Sequence, residues 1–173
     1  MEHQGQAIKG KLNIIPSPNS SKNDFDFLTG KWSIRNRKLK TRLSRCAEWS
    51  EFEAEQEMYK ILNGLGNTDF FKTGKGDKRF EGMTLRLFNP QTKLWSIYWA
   101  DSDKGKLDVP VIGSFENSIG RFYAEDVFNG KDILVKFLWD ASNPDEPVWS
   151  QAFSDDNGKT WEWNWYMYMT RVK

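Results

Sequence analysis

The sequence predicts an all-β domain, an antiparallel up-and-down barrel of roughly eight to ten strands, and three observations carry that prediction. Aromatic residues make up 15% of the chain, with nine Trp, twelve Phe and five Tyr, and large rings favour pleated, half-buried surfaces. From Lys31 onward, alternating segments are separated by turn residues at spacings of about 8 to 14 residues, the rhythm of a sandwich or barrel. Asn89-Pro90 suits a type I turn, and Asn129-Gly130 suits a tight hairpin in which both residues take positive φ. Successive hairpins make a meander, and a meander of this many strands removes its exposed edges by closing on itself.

The elements follow in order. Residues 1–23 mix Gln, Gly, Asn, Ser, Pro16 and Pro18 with little apolar patterning, as expected of a flexible leader, and the barrel domain is expected over 24–173. Asp24-Phe25-Asp26-Phe27-Leu28 sets two Phe and a Leu beside an acidic N-cap candidate, which predicts a short helical turn plugging one end; Gly30 ends it. In Lys31–Lys40, Trp32 and Ile34 alternate with Ser33, Arg35 and Arg37, while in Glu48–Tyr59, Phe52, Ala54 and Met58 alternate with Glu51, Glu53, Glu55 and Glu57. A hairpin turning near Ser44 places Arg35 and Arg37 opposite those glutamates. The later segments (82–88, 94–101, 111–116, 121–128, 133–140, 148–154 and 160–172) repeat the pattern, and none has helical periodicity.

Composition narrows the function. Charged residues are 28% of the chain and the formal net charge is +1, so there is neither a membrane-spanning apolar run nor a global field for nucleic acid. Cys46 has no partner for an internal disulfide and no signal-peptide pattern precedes Phe27, which points to a reducing, cytoplasmic setting. The single His, His3, leaves zinc and haem ligation without donors, and no metal or cofactor is expected. The basic run Arg35, Arg37, Lys38, Lys40, Arg42 and Arg45 reads as a solvated face, not a nucleic-acid patch. Asp101, Asp103 and Gly105 echo a calcium loop without its bidentate glutamate and read as a turn, and Glu125-Asp126 alternate to opposite faces, so they form no acid–base pair.

Gly30-Lys31-Trp32 at the first strand and Arg171 near the end of the last resemble the lipocalin and wider calycin pattern, in which a G-x-W is covered by a C-terminal arginine. The resemblance implies that Gly30, Trp32 and Arg171 are structural, the guanidinium lying over the indole and capping loose carbonyls. The family's Thr-Asp-Tyr motif has only Thr68-Asp69-Phe70 as an early echo. The chain is similar to uncharacterised intracellular lipocalin-like proteins, which implies binding of a small molecule without naming a reaction. Ser154-Asp155-Asp156-Asn157-Gly158-Lys159-Thr160-Trp161 resembles the Asp-box of sialidases; as a single copy it is a turn device in which Ser154 and Asp156 bind turn amides, Gly158 takes positive φ and Trp161 packs against the hairpin.

The aromatic excess carries the functional expectation. Trp99, Trp139, Trp163 and Trp165, with Phe52, fall on inward parities and are expected to wall a cavity for a small, mostly apolar ligand, with Gln56 as its polar anchor. Two rivals stand beside it: a carbohydrate-binding module with exposed coplanar tryptophans, and a cofactor-free isomerase or cyclase with an ionisable residue inside the barrel. Tyr166 and Tyr168 fall on the opposite parity of the last strand, which makes both its faces aromatic and suggests a homodimer contact.

Overall fold

Alternation of apolar and polar residues is realised strand by strand in the computed structural model, which describes residues 7–8, 11–74 and 79–173. Two short strands, β1 (Ala7–Ile8) and β2 (Lys11–Leu12), pair with each other, and a 3₁₀ turn spans Asp26–Leu28. Ten strands then follow: β3 (Gly30–Leu39), β4 (Trp49–Ile61), β5 (Gly66–Thr73), β6 (Phe80–Asn89), β7 (Leu94–Asp101), β8 (Val111–Glu116), β9 (Ile119–Phe128), β10 (Lys131–Asp140), β11 (Val148–Ser154) and β12 (Glu162–Arg171). Each pairs antiparallel with the next, and β12 pairs with β3, so the sheet closes into a ten-strand barrel. No described helix is long and apolar enough to cross a membrane.

The register of the first hairpin is the expected one: Arg35 stands opposite Glu53 and Arg37 opposite Glu51, outside, while Trp32, Ile34 and Asn36 stand inside opposite Gln56, Ala54 and Phe52. At the tight β9–β10 turn Asn129 and Gly130 have φ of 51° and 76°, the left-handed pair such a hairpin requires.

One end is filled with rings. Phe25 and Leu28, from the 3₁₀ turn, are buried in the barrel mouth they plug. The Phe25 ring lies 4.9 Å from that of Phe115, 5.0 Å from Trp95 and 6.0 Å from Trp139, each near-perpendicular, the edge-to-face geometry aromatic rings prefer. Asp24 is not the N-cap expected of it. It instead organises the preceding turn, accepting from the Ser21 amide at 3.0 Å and the Trp95 indole N–H at 3.2 Å. The segment expected to be a free leader is tied down in its second half: Ser17 N–H donates to Ser114 Oγ and Ser20 is buried. His3 lies outside the described residues.

Arg171 closes this end. Its guanidinium carbon is 4.3 Å from the Trp32 ring centroid. Its nitrogens donate to the carbonyls of Phe27 at 2.6 Å, Thr29 at 2.9 Å and Pro144 at 3.2 Å, and to Asp145 Oδ1 at 2.7 Å. Gly30, with φ of 105°, passes beneath it. The 154–161 segment is the turn read from its sequence: Ser154 Oγ contacts Asp156 Oδ1 at 2.7 Å and accepts from the Gly158 amide, and Asp156 accepts from the amide and hydroxyl of Thr160.

Candidate functional site in the barrel lumen

Five inward positions of the middle barrel are polar. Asn36 on β3, Gln56 on β4, Asp69 on β5, Arg86 on β6 and Asn164 on β12 are all buried. Some of their atoms are paired. Arg86 Nη1 donates to Asp69 Oδ2 at 2.5 Å and to Asn67 Oδ1 at 2.9 Å. The Trp165 indole N–H donates to Asn36 Oδ1 at 3.0 Å, and Gln151 Nε2 to Asn164 Oδ1 at 2.8 Å. Others are not: among the described residues Asn36 Nδ2, Gln56 Nε2, Arg86 Nε, Asn164 Nδ2 and Asp69 Oδ1 are buried and have no hydrogen-bond partner. Each such group costs about 1–3 kcal/mol; Arg86, Asp69 and Gln56 lie toward the plug, the first against the Phe25 ring and the last in register with Trp32, whereas Asn36 and Asn164 lie toward the opposite end.

Beside them stand inward apolar side chains that keep accessible surface. Phe137 is half-buried although its inward neighbours on β10, Val135 and Trp139, are buried, and Met167 is half-buried one step above buried Met169 on β12. Side chains that point inward and are still accessible open onto the lumen. Phe52, Trp99 and Trp165 share that state and pack against the core. The Trp99 indole lies across Gly82 of the neighbouring strand, where a Cβ would meet its ring carbon at 2.1 Å; the missing side chain is what lets the indole lie there.

The end opposite the plug carries charge. Lys38 continues the inward parity of Trp32, Ile34 and Asn36, and its Nζ sits 3.9 Å from the Trp165 ring centroid. Burial, with help from Arg42 and Lys104 and against the pull of Asp101, brings its ammonium pKa down to about 8. The Arg42 guanidinium lies over Phe128 and Phe153, its pKa lowered by burial against the pull of Glu162. Glu162 accepts the Leu43 amide at 2.8 Å, and Asp101 accepts the Trp99 indole N–H at 2.9 Å.

Of the residues expected to line a pocket, Phe52, Gln56, Trp99 and Trp165 point inward. Trp139 also points inward but belongs to the plugged end. It is buried, with its ring 5.7 Å from Phe27 and 6.0 Å from Phe25, and so is packed core instead of cavity wall. Trp163 is outside. The register between β11 and β12 shifts at Gln151/Ala152, so Trp165 opposes Gln151 but Trp163 opposes Ala152. This bulge turns Asn164 in and Trp163 out, where it stacks on Tyr166 with centroids 6.4 Å apart. Bulges insert one residue and invert the parity beyond them, which strict alternation from Trp161 to Arg171 does not anticipate. The sequence reading also missed Asn36, Asp69, Arg86 and Asn164, and it placed Lys38 in a solvated basic run. For Lys38 and Asn36 the signal was present, since both share the parity of Trp32.

The outer face of β12 and its neighbours carries the second aromatic group. Tyr166 and Tyr168 are parallel within 16°. Arg35 covers Tyr168 at 4.6 Å and Arg37 covers Trp49 at 4.4 Å.

No family model matches the sequence, and no curated protein is significantly similar to it. The fold is similar to that of an S-type phycobiliprotein lyase from Guillardia theta, with a TM-score of 0.58 and 9% identity over 90% of this chain and 94% of that one. At that identity the likeness establishes the closed, calycin-like barrel architecture.

Proposed function

We propose that the barrel binds one small molecule in its lumen, a largely apolar body held by polar anchors, entering opposite the Phe25–Leu28 plug. The observation that carries this reading is the pair of unpartnered buried amides, Asn36 Nδ2 and Asn164 Nδ2, beside half-buried Phe52, Trp165 and Met167. A core built only for stability leaves such groups paired or replaces them with apolar ones. The structural neighbour acts in phycobiliprotein chemistry by its name, which supports a barrel of this shape as a holder of small molecules.

The carbohydrate-module alternative is less well supported: sugar stacking needs open ring faces, and those of Tyr168 and Trp49 are taken by Arg35 and Arg37. Catalysis on the bound molecule is also less well supported, because the inward ionisable pair Asp69–Arg86 is bonded to itself against the Phe25 ring of the plug.

Native mass spectrometry of freshly purified protein reveals any retained molecule, and following its mass over time separates carriage from turnover. In parallel, tryptophan emission is titrated with fatty acids, retinoids, flavins, a linear tetrapyrrole and simple glycans. Saturable binding near micromolar affinity, about 8 kcal/mol, is expected for an apolar member. Trp165→Ala should weaken it about tenfold or more, and Trp163→Ala should leave it unchanged. No retained mass and no response to any compound would overturn the proposal.

A further inference from the structure

The lumen is unbalanced in a direction that identifies its ligand further. The two unpartnered buried atoms of the β12–β3 wall, Asn36 Nδ2 and Asn164 Nδ2, are both hydrogen-bond donors. Lys38 adds a cation that, among the described residues, has no hydrogen bond or ion pair and rests on the Trp165 ring, with Asp101 acting on it only at a distance. The acidic groups nearby are engaged elsewhere: Glu162 with the Leu43 amide, Asp101 with the Trp99 indole and, at 3.9 Å, with Lys104, and Asp69 with Arg86.

The donors are also aimed. Lys38 pairs in register with Trp165, and Asn36 pairs with Met167 one step below it on the same wall. The Trp165 N–H binds Asn36 Oδ1 and Gln151 binds Asn164 Oδ1, so each amide oxygen is used and each amide NH₂ is left over. Adjacent strands lie about 4.8 Å apart and same-face neighbours about 6.6 Å apart along a strand. The ammonium and the two amides therefore border one patch of the β12–β3 wall.

We infer that the barrel selects ligands with a carboxylate head group, which docks between the Lys38 ammonium and the Asn36 and Asn164 amides while the apolar body lies against Phe52, Phe137 and Met167. This rests on the lumen-binding reading above. An oxyanion supplies several acceptor sites at once, which is what three converging donors lack, and its charge answers the unpaired ammonium; charge-assisted bonds of this kind are about twice as strong as neutral ones.

The test compares cis-parinaric acid with its methyl ester by fluorescence titration on the full chain. The acid should bind at least about tenfold tighter than the ester. That preference should collapse in Lys38→Met and survive in Lys38→Arg. In the wild-type protein it should fade as pH rises through about 8, where Lys38 loses its charge, while the ligand carboxylate stays ionised. The groups facing Lys38 across the mouth are Arg42, Asp101 and Lys104, with Glu162 acting on Arg42 and Asp126 on Lys104. The wild-type pH series needs no variant to fold. Equal binding of acid and ester overturns the carboxylate inference and leaves lumen binding standing. Binding of neither form overturns both.

Discussion

Arg171→Ala removes the bolt that joins the last strand to the plug, and its cost can be worked from the contacts. The indole beneath the guanidinium belongs to Trp32, 1% exposed, so that cation–π contact is desolvated and contributes about 1–2 kcal/mol. The bond to the half-buried Phe27 carbonyl contributes about 1–1.5 kcal/mol, and those to the exposed Thr29 and Pro144 carbonyls together about 0.5–1 kcal/mol, since water can replace them. Asp145 is 71% exposed, and its ion pair adds almost nothing. The sum is about 3 kcal/mol, and for a domain of this size each kcal/mol moves the midpoint by roughly 2–4 °C. Thermal unfolding followed by near-ultraviolet circular dichroism should show Tm lower by about 6–12 °C. Arg171→Lys should recover only part of the loss, because an ammonium cannot serve three carbonyls and an indole face from one point. A Tm within about 2 °C of wild type for the alanine variant would refute the closure argument.

The turn at 154–161 gives a pH prediction. Hydrogen bonds from Thr160, then from Ser154, hold the Asp156 carboxyl down to about 2, below its ordinary 3.8. A depressed carboxylate stabilises the fold above its unfolded pKa and loses that contribution as pH falls through the folded one. Asp156→Ala should therefore lower Tm at pH 6, with the difference shrinking between about pH 4 and 2; melting curves that stay parallel across that range would refute it. Self-association through the outer face should be weak, because Arg35 and Arg37 already cover the rings a partner would meet. Sedimentation should show a concentration-dependent dimer that Tyr166→Ser abolishes, and monomer alone up to several hundred micromolar would remove the homodimer reading.

What was legible in the sequence was whatever depends on period two and on local turn chemistry. Trp32, Ile34, Ala54 and Met58 are buried as their spacing requires, Asn129-Gly130 turns as its φ values require, and Gly30, Trp32 and Arg171 meet as the calycin resemblance implies. What was not legible depends on a single long-range event or on the height of a side chain in the barrel. The bulge opposite Gln151 is invisible in a run that alternates Trp161, Trp163, Trp165, Met167 and Met169, yet it decides which tryptophan faces inward. Trp139 and Trp165 both point inward, and only the plug, arriving from over a hundred residues earlier in the chain, makes one of them core. Lys38 was hidden by its company: beside Arg37 and Lys40 a lysine reads as surface, although its parity with Trp32 and Asn36 says otherwise.

The strand count explains why the two ends differ. An eight-strand barrel is just wide enough for its own side chains to fill, and the diameter grows roughly in proportion to strand number. Ten strands therefore demand more filling than eight, even with Trp32, Trp95 and Trp139 among the inward residues. At one end that filling comes from Phe25, Phe27 and Leu28, side chains contributed from outside the sheet, and beneath them the buried Arg86–Asp69 pair packs its guanidinium on the Phe25 ring. At the other end the β3–β4 loop packs Leu43 against the core and lays Arg42 over Phe128 and Phe153. The inward residues there change character to Asn36, Lys38 and Asn164, and the rings beside them keep accessible surface. The plug thus gives the two ends different characters, and the donors Asn36, Lys38 and Asn164 at the other end are what the proposed carboxylate selection rests on.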